Sequence, residues 1–184
     1  MNQQDRTMRI IRYLFTAALI LMLSGCVEEG GDPMKTVEQV DLERFMGDWY
    51  VVANIPTFLE QEAYNPVESY ALNPDGTIAT TFSFNKGALD GPRKAYHPKG
   101  FVLDSNSNAR WGMQFIWPIK ADYRIIYLDP DYQLTVIGRA KRDYVWVMSR
   151  TPAISEQDFD QIQALLQEVG YDTRQLQRPR HGTS

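Results

Sequence analysis

Between about Phe45 and Arg150 the chain is broken at short, regular intervals by turn clusters, and this spacing constrains the fold more than any other feature. The clusters are Asn73–Gly76 (NPDG), Ala88–Lys94 (ALDGPRK), Asp104–Asn108 (DSNSN), Leu128–Asp131 (LDPD) and Ala140–Asp143 (AKRD). Their Pro, Asn, Asp and Gly residues supply the backbone geometries that reverse a chain. Eight short segments lie around them, at about 48–55, 67–73, 77–85, 95–103, 109–116, 122–128, 132–139 and 143–149. Parallel pairing would need long helical crossovers, which this stretch has no room for, so consecutive antiparallel pairing is expected.

Side-chain alternation assigns the faces, because successive residues of a strand point to opposite sides. Ile78, Thr80, Phe82 and Phe84 share one side of the third segment; Trp111, Met113 and Phe115 share one side of the fifth. The opposite sides are polar or small and suit water. The last two segments are apolar on both sides: Leu134 and Val136 against Thr135 and Ile137, and Trp146 and Met148 against Val145 and Val147. Something must cover their outer side. Ser155–Gly170 follows at once and reads as a helix, with Ser155 as N-cap, Asp158 in capping-box position and Gly170 at the C-terminal end. Phe159, Ile162, Leu165, Leu166 and Val169 form its apolar stripe. One helix does not seal a large open sheet, whereas closure removes the edges. The fold expected is all-β: an eight-stranded up-and-down antiparallel β-barrel with a C-terminal α-helix packed outside it. The interior is expected from Trp49, Val51, Ala53, Tyr70, Leu72, Ile78, Phe82, Phe84, Trp111, Met113, Phe115, Ile125, Tyr127, Leu134, Val136 and Trp146. An eight-stranded barrel is either filled by such side chains or left hollow for one small ligand, and both fit this pattern.

The single cysteine, Cys26, stands where an apolar run ends. Arg6, Arg9 and Arg12 precede the uncharged stretch Tyr13–Leu23, which is too short to span a bilayer as a helix. Basic start, short apolar core and small Ser24 and Gly25 compose a secretory signal, with either Met1 or Met8 as its start. The stretch LSGC resembles the lipobox of bacterial lipoproteins. That resemblance implies cleavage before Cys26 and lipidation of it, and Val27 at the next position implies the periplasmic face of the outer membrane. More than one acyl chain is needed for firm attachment. The expected organisation is a signal peptide at 1–25, a lipidated flexible tether at 26–36, one domain at 37–176 and a loose polar tail at 177–184.

Removing residues 1 to 25 takes away three Arg and one Asp, which moves the net charge from −4 to −6. An acidic domain is a poor partner for nucleic acid. Once Cys26 is lipidated no cysteine is left for a disulfide, so the core alone must hold the fold. No nucleophile elbow, His-Glu-x-x-His or phosphate-loop pattern occurs, and the two histidines, His97 and His181, assemble no metal or triad set. No catalytic residue, metal site or cofactor is expected.

Three stretches resemble the lipocalin signatures, in order and at fitting separations. Gly47–Pro56 (GDWYVVANIP) carries the Gly-x-Trp of the first strand. Leu128–Gly138 (LDPDYQLTVIG) carries the Asp131–Tyr132 turn, with Pro130 where the animal form has Thr. Tyr144–Pro152 (YVWVMSRTP) ends the last strand at Arg150. With the lipobox, the chain resembles the bacterial, outer-membrane lipoprotein type of lipocalin. The resemblance implies structural roles for Gly47, Trp49, Asp131, Tyr132 and Arg150, with the Arg150 side chain over the Trp49 ring at a closed barrel floor. It also implies a carrier of fatty acid or lysophospholipid. The sequence itself leaves both a single barrel and a homodimer open. The ligand is then expected against Tyr70, Ile78, Phe82, Phe84, Trp111, Met113, Phe115, Ile125, Tyr127, Val136 and Trp146. Arg93, Lys94, His97 and Lys99 form either a head-group site or an ordinary solvated loop. The alternatives are a filled barrel acting as an interaction protein and a lipid-modifying enzyme.

Overall fold

The computed structural model describes residues 34–182. The expected signal peptide, the lipidated Cys26 and the tether up to residue 33 lie outside the described residues. Among those described, a short helix α1 (Leu42–Phe45) leads into β1 (Gly47–Ile55), β2 (Ala63–Leu72), β3 (Ile78–Lys86), β4 (Arg93–Tyr96), β5 (Lys99–Val102), β6 (Arg110–Ile116), β7 (Ile119–Leu128), β8 (Leu134–Gly138) and β9 (Val145–Ser149). Helix α2 (Glu156–Glu168) and a 3-10 turn (Thr173–Gln175) follow.

All strand pairs are antiparallel, consecutive strands pair except β4 with β5, and β9 returns to β1 to close the barrel. The expected strand at 95–103 is present in two pieces, β4 and β5, on either side of His97–Pro98. Pro98 has no N–H for a ladder, but its carbonyl accepts from Thr80 N at 3.2 Å. The pieces pair with different halves of β3, so an eight-position barrel carries nine strands.

Two apolar clusters divide the work. The interior one packs Phe45, Trp49, Ile78, Phe84, Trp111 and Ile125, all essentially inaccessible. The exterior one lies between the wall and α2, where Val52, Val136, Val145 and Val147 meet Ile162 and Leu166. Phe159, Leu165 and Val169 of the predicted stripe complete it as half-buried residues. A fully buried aliphatic side chain contributes about 1.5–3 kcal/mol, so this cover explains why β8 and β9 are apolar on both faces. Ser155 caps α2 as expected: its Oγ accepts from Asp158 N at 3.0 Å and donates to the Asp158 carboxylate at 2.6 Å.

The ends are tied more closely than their composition suggests. Met34 is buried in the exterior cluster, so packing begins there rather than at residue 37. The tail is not loose up to residue 182. The β1–β2 ladder stops at Tyr50↔Val67, and the tail enters the gap beyond it. Asn54 and Gln177 exchange both backbone bonds, at 2.9 and 2.8 Å. His181 Nε2 lies 2.9 Å from Val51 O, Arg180 O accepts from Asn65 N at 2.9 Å, and Gly182 N donates to Asn65 Oδ1 at 2.7 Å.

Candidate functional site

The barrel floor is built first by α1, which the strand pattern did not reveal. Asp41 caps it, and Phe45 then packs its ring against Trp49 (5.1 Å), Trp111 (5.5 Å) and Tyr70 (5.8 Å). Trp49 Nε1 donates to Phe45 O at 2.8 Å, and the Arg150 guanidinium lies 3.8 Å from a Trp49 ring centroid. Such a contact is worth about 0.5–2 kcal/mol. Arg150 also donates to the carbonyls of Asp48 (2.8 Å), Arg44 (2.9 Å), Phe45 (3.2 Å) and Met46 (2.8 Å). Those groups would otherwise be unpaired where the chain crosses the floor. Gly47 holds φ +93 there, and a Cβ on it would stand 3.3 Å from Arg150 Nη1. In the β7–β8 turn Tyr132 takes φ +60 and its hydroxyl accepts from Asp41 N at 2.9 Å. The carboxylate that closes this turn belongs to Asp129, which accepts from Gln133 N and Leu134 N; Asp131 engages through its backbone carbonyl.

Above the floor the barrel is hollow. The cavity measures about 490 Å³ and opens between the Thr57–Glu60 loop, the β6–β7 hairpin, Arg139 and Tyr144. Of the residues expected at a ligand, Tyr70, Phe82, Met113, Phe115 and Trp146 line it. Ile78, Phe84, Trp111 and Ile125 belong to the interior cluster but not to the cavity wall, because neighbouring rings cover them. Tyr127 and Val136 are corrected: both lie on the exterior, in the cluster under α2. For Tyr127 the cause is a register shift between Ile125 and Tyr127, which turns the next side chain outward. For Val136 it is the choice of face on a doubly apolar strand; Ile137 is the residue that reaches the cavity. Ala53 and Leu134 of the wider inward set join the exterior cluster too, Ala53 after a shift between Val51 and Ala53, and Leu72 is 42% exposed. The basic segment stays outside. Arg93 bonds Ser83 Oγ (2.7 Å) and Asn85 Oδ1 (3.1 Å), His97 Nδ1 faces Thr81 Oγ1 (3.1 Å), and only Tyr96 and Pro98 of that stretch reach the cavity.

Two carboxyl groups on the cavity wall were missed from the sequence. Glu60 accepts from Trp146 Nε1 and Thr57 N, each at 2.6 Å, and burial raises its pKa against those bonds. Glu68 has the same strand parity as Tyr70, the signal that could have found it. By residue surface it is half-buried, because it lines the hollow, while its Oε2 is fully covered and has no hydrogen-bond partner in the protein. Burial, reinforced by the charge of Glu60 and opposed by the Tyr70 hydroxyl, pushes its pKa up to about 8. The Tyr70 and Tyr123 hydroxyls share a 2.8 Å hydrogen bond beside it. Glu60 carried no periodic signal, being in a loop. Among the described residues no group of three His, Cys, Asp or Glu could hold a metal.

The mouth is apolar. Phe58 is 77% exposed, and the β6–β7 hairpin presents Phe115, Ile116, Trp117 and Ile119 to solvent.

Residues 40–181 match the lipocalin-like domain family. Temperature-induced lipocalin-1 of Arabidopsis thaliana is 33% identical over 154 residues, covering 79% of this chain and 81% of that protein. Outer membrane lipoprotein Blc of Citrobacter freundii is 26% identical over 174 residues, covering 93% and 95%. Among solved structures, insecticyanin from the tobacco hornworm Manduca sexta superposes with a TM-score of 0.64 at 12% identity, over 82% of this chain and 85% of that one, a likeness of fold. The matched stretch takes in the whole barrel, the Trp49–Arg150 floor and the covering helix, and on these grounds the chain belongs to the lipocalin family, as a bacterial lipocalin of the Blc type.

Proposed function

We propose that this protein is a membrane-anchored carrier that holds one single-chain lipid, a fatty acid or a lysophospholipid, in the barrel cavity. Lipocalins are generally binding proteins. The observation that carries the reading is an open hollow of about 490 Å³ above a closed floor, lined by Phe82, Met113, Ile137, Trp146 and Met148. That volume lies within the range of about 300–1,000 Å³ found for small-ligand sites. Burying each CH₂ of an acyl chain yields about 0.8 kcal/mol. A filled barrel acting only through its surface fits such a hollow poorly. The lipobox around Cys26 and the relatives named as outer membrane lipoproteins support anchoring in the outer membrane; the reading extends to its periplasmic side and to a role in envelope maintenance or stress.

Native mass spectrometry of the delipidated protein offered mixed lipids tests the carrier reading. A one-to-one lipid adduct is expected; its absence refutes a carrier, and release of a hydrolysed product would identify an enzyme. Cys26→Ser is expected to move the protein from the membrane fraction to the soluble periplasm, and retention in the membrane would refute the anchor.

A further inference from the structure

Among the described residues, every large apolar side chain that is more than half exposed lies at the mouth of the barrel. These are Phe58 in its loop, and Phe115, Ile116, Trp117 and Ile119 in the β6–β7 hairpin. Trp117 stands furthest out, 81% exposed at the hairpin tip. A contiguous apolar patch of this kind marks a contact site.

Two further observations say what it contacts. The first is where the chain joins the barrel. Met34 Sδ would stand 3.0 Å from a Cβ on Gly138, and its carbonyl accepts from Arg124 Nη1 at 3.3 Å. Arg139, the neighbour of Gly138, borders the opening. From there the chain runs to the floor, through Val37 N bonded to Ile125 O (3.0 Å) and Asp41 at the cap of α1. Eight residues separate Cys26 from Met34, a reach of at most about 29 Å. The second is charge. Exposed Lys120 shares the hairpin, and exposed Lys86, Arg93 and Lys94 end β3 and begin β4 at the same end of the barrel. Glu62 and Asp90 offset only part of this, in a chain whose net charge is −4.

We propose that the mouth is a bilayer-docking surface: Trp117 and Ile119 enter the boundary between head groups and acyl chains of the leaflet that holds Cys26, so that the cavity opens onto lipid. The inference rests on the lipid anchor of the reading above and adds which face the anchored protein turns to the membrane. An indole suits that boundary, having an apolar body and one N–H donor. The basic side chains behind it attract anionic head groups. The docking need only be weak, because the tether keeps the mouth at a high local concentration beside the surface. A protein released from its anchor therefore leaves the membrane. A lipid drawn in through a docked mouth passes from acyl chains to apolar wall without exposing its tail to water.

Tryptophan emission of the purified lipidated protein tests the proposal. It is measured in phosphatidylethanolamine–phosphatidylglycerol vesicles with and without dibrominated acyl chains, since bromine quenches an indole only at close range. Wild-type emission is expected to fall on brominated vesicles, and Trp117→Phe is expected to lose that fall, because Trp49, Trp111 and Trp146 lie inside the barrel. Ile119→Asp keeps the indole but puts a charge at the boundary, and is expected to cut the quenching severalfold. Equal quenching in wild type and Trp117→Phe would place the bromine in the cavity and overturn the proposal. Unquenched protein that stays on the vesicles overturns this inference alone, and dimers shielding Trp117 would then assign the patch to a second copy. Failure to stay on the vesicles at all overturns the anchor reading with it.

Discussion

Glu68→Gln changes stability in a direction opposite to that of most core substitutions. An ordinary glutamate has a pKa of 4.5, and burial lifts that of Glu68 to about 8. Between those values the native state holds a proton that the unfolded chain has lost. The contribution of this group is therefore fully present below about pH 4.5, and stability falls as pH rises, by about 1.4 kcal/mol per unit, until about pH 8. At pH 7 keeping the carboxyl neutral costs at most about 3 kcal/mol, the ceiling that applies if the group is wholly removed from water. Glutamine has nearly the same shape and carries no such cost, though its amide needs partners of its own. We expect Glu68→Gln to stabilise the protein at pH 7 by about 1–3 kcal/mol, equivalent to a rise in Tm of roughly 5 °C for a domain of this size. Urea unfolding at pH 5, 7 and 9 measures this directly. The wild type should weaken across the series, and the variant should lose most of that slope while keeping the part due to Glu60. Parallel profiles for the two proteins would show that Glu68 is solvated and ionised, and the reasoning would fail.

Gly47→Ala is expected to cost about 1–3 kcal/mol in chemical unfolding, because alanine is strained at φ +93 and its Cβ crowds Arg150. Phe82→Arg should abolish lipid adducts in native mass spectrometry, whereas Val136→Ala, under α2, should cost about 2 kcal/mol and leave uptake unchanged. Equal effects on uptake would contradict the assignment of faces. Ending the chain at Leu176 removes the bonds to Val51, Asn54 and Asn65 and is expected to cost about 1–3 kcal/mol. Hydrogen exchange at the Asn54 and Asn65 amides should accelerate; unchanged protection there would refute a structural tail.

The barrel and its cover were legible because they rest on periodicity. Turn clusters marked the eight positions of the wall, though not the break of the fourth at His97–Pro98, and the stripe from Phe159 to Val169 fixed where the helix had to lie. The floor was legible through the Gly47, Trp49 and Arg150 pattern, although α1 was too short to leave a period of its own. What parity missed has local causes. A register shift hides from alternation, so Ala53 and Tyr127 were placed on the wrong face. A strand apolar on both sides offers no contrast, so Val136 was preferred to Ile137. Glu68 shares the strand parity of Tyr70, and only its charge sets it apart from the greasy interior that it faces. Ile78 and Ile125 face inward as expected, but which inward side chains border empty space depends on how large rings stack, and that is settled in three dimensions.

The way the C-terminal tail fills the parting of β1 and β2 bears on how the wall holds together. A hooped wall has no hinge, and a guest wider than the rim needs one stave to yield. The wall is weakest where two staves have already separated, and here that fissure is laced by a few bonds from residues 177–182. Loosening the lacing would part this stretch of wall without breaking any ladder between strands, so residues 177–182 brace what strand pairing leaves open.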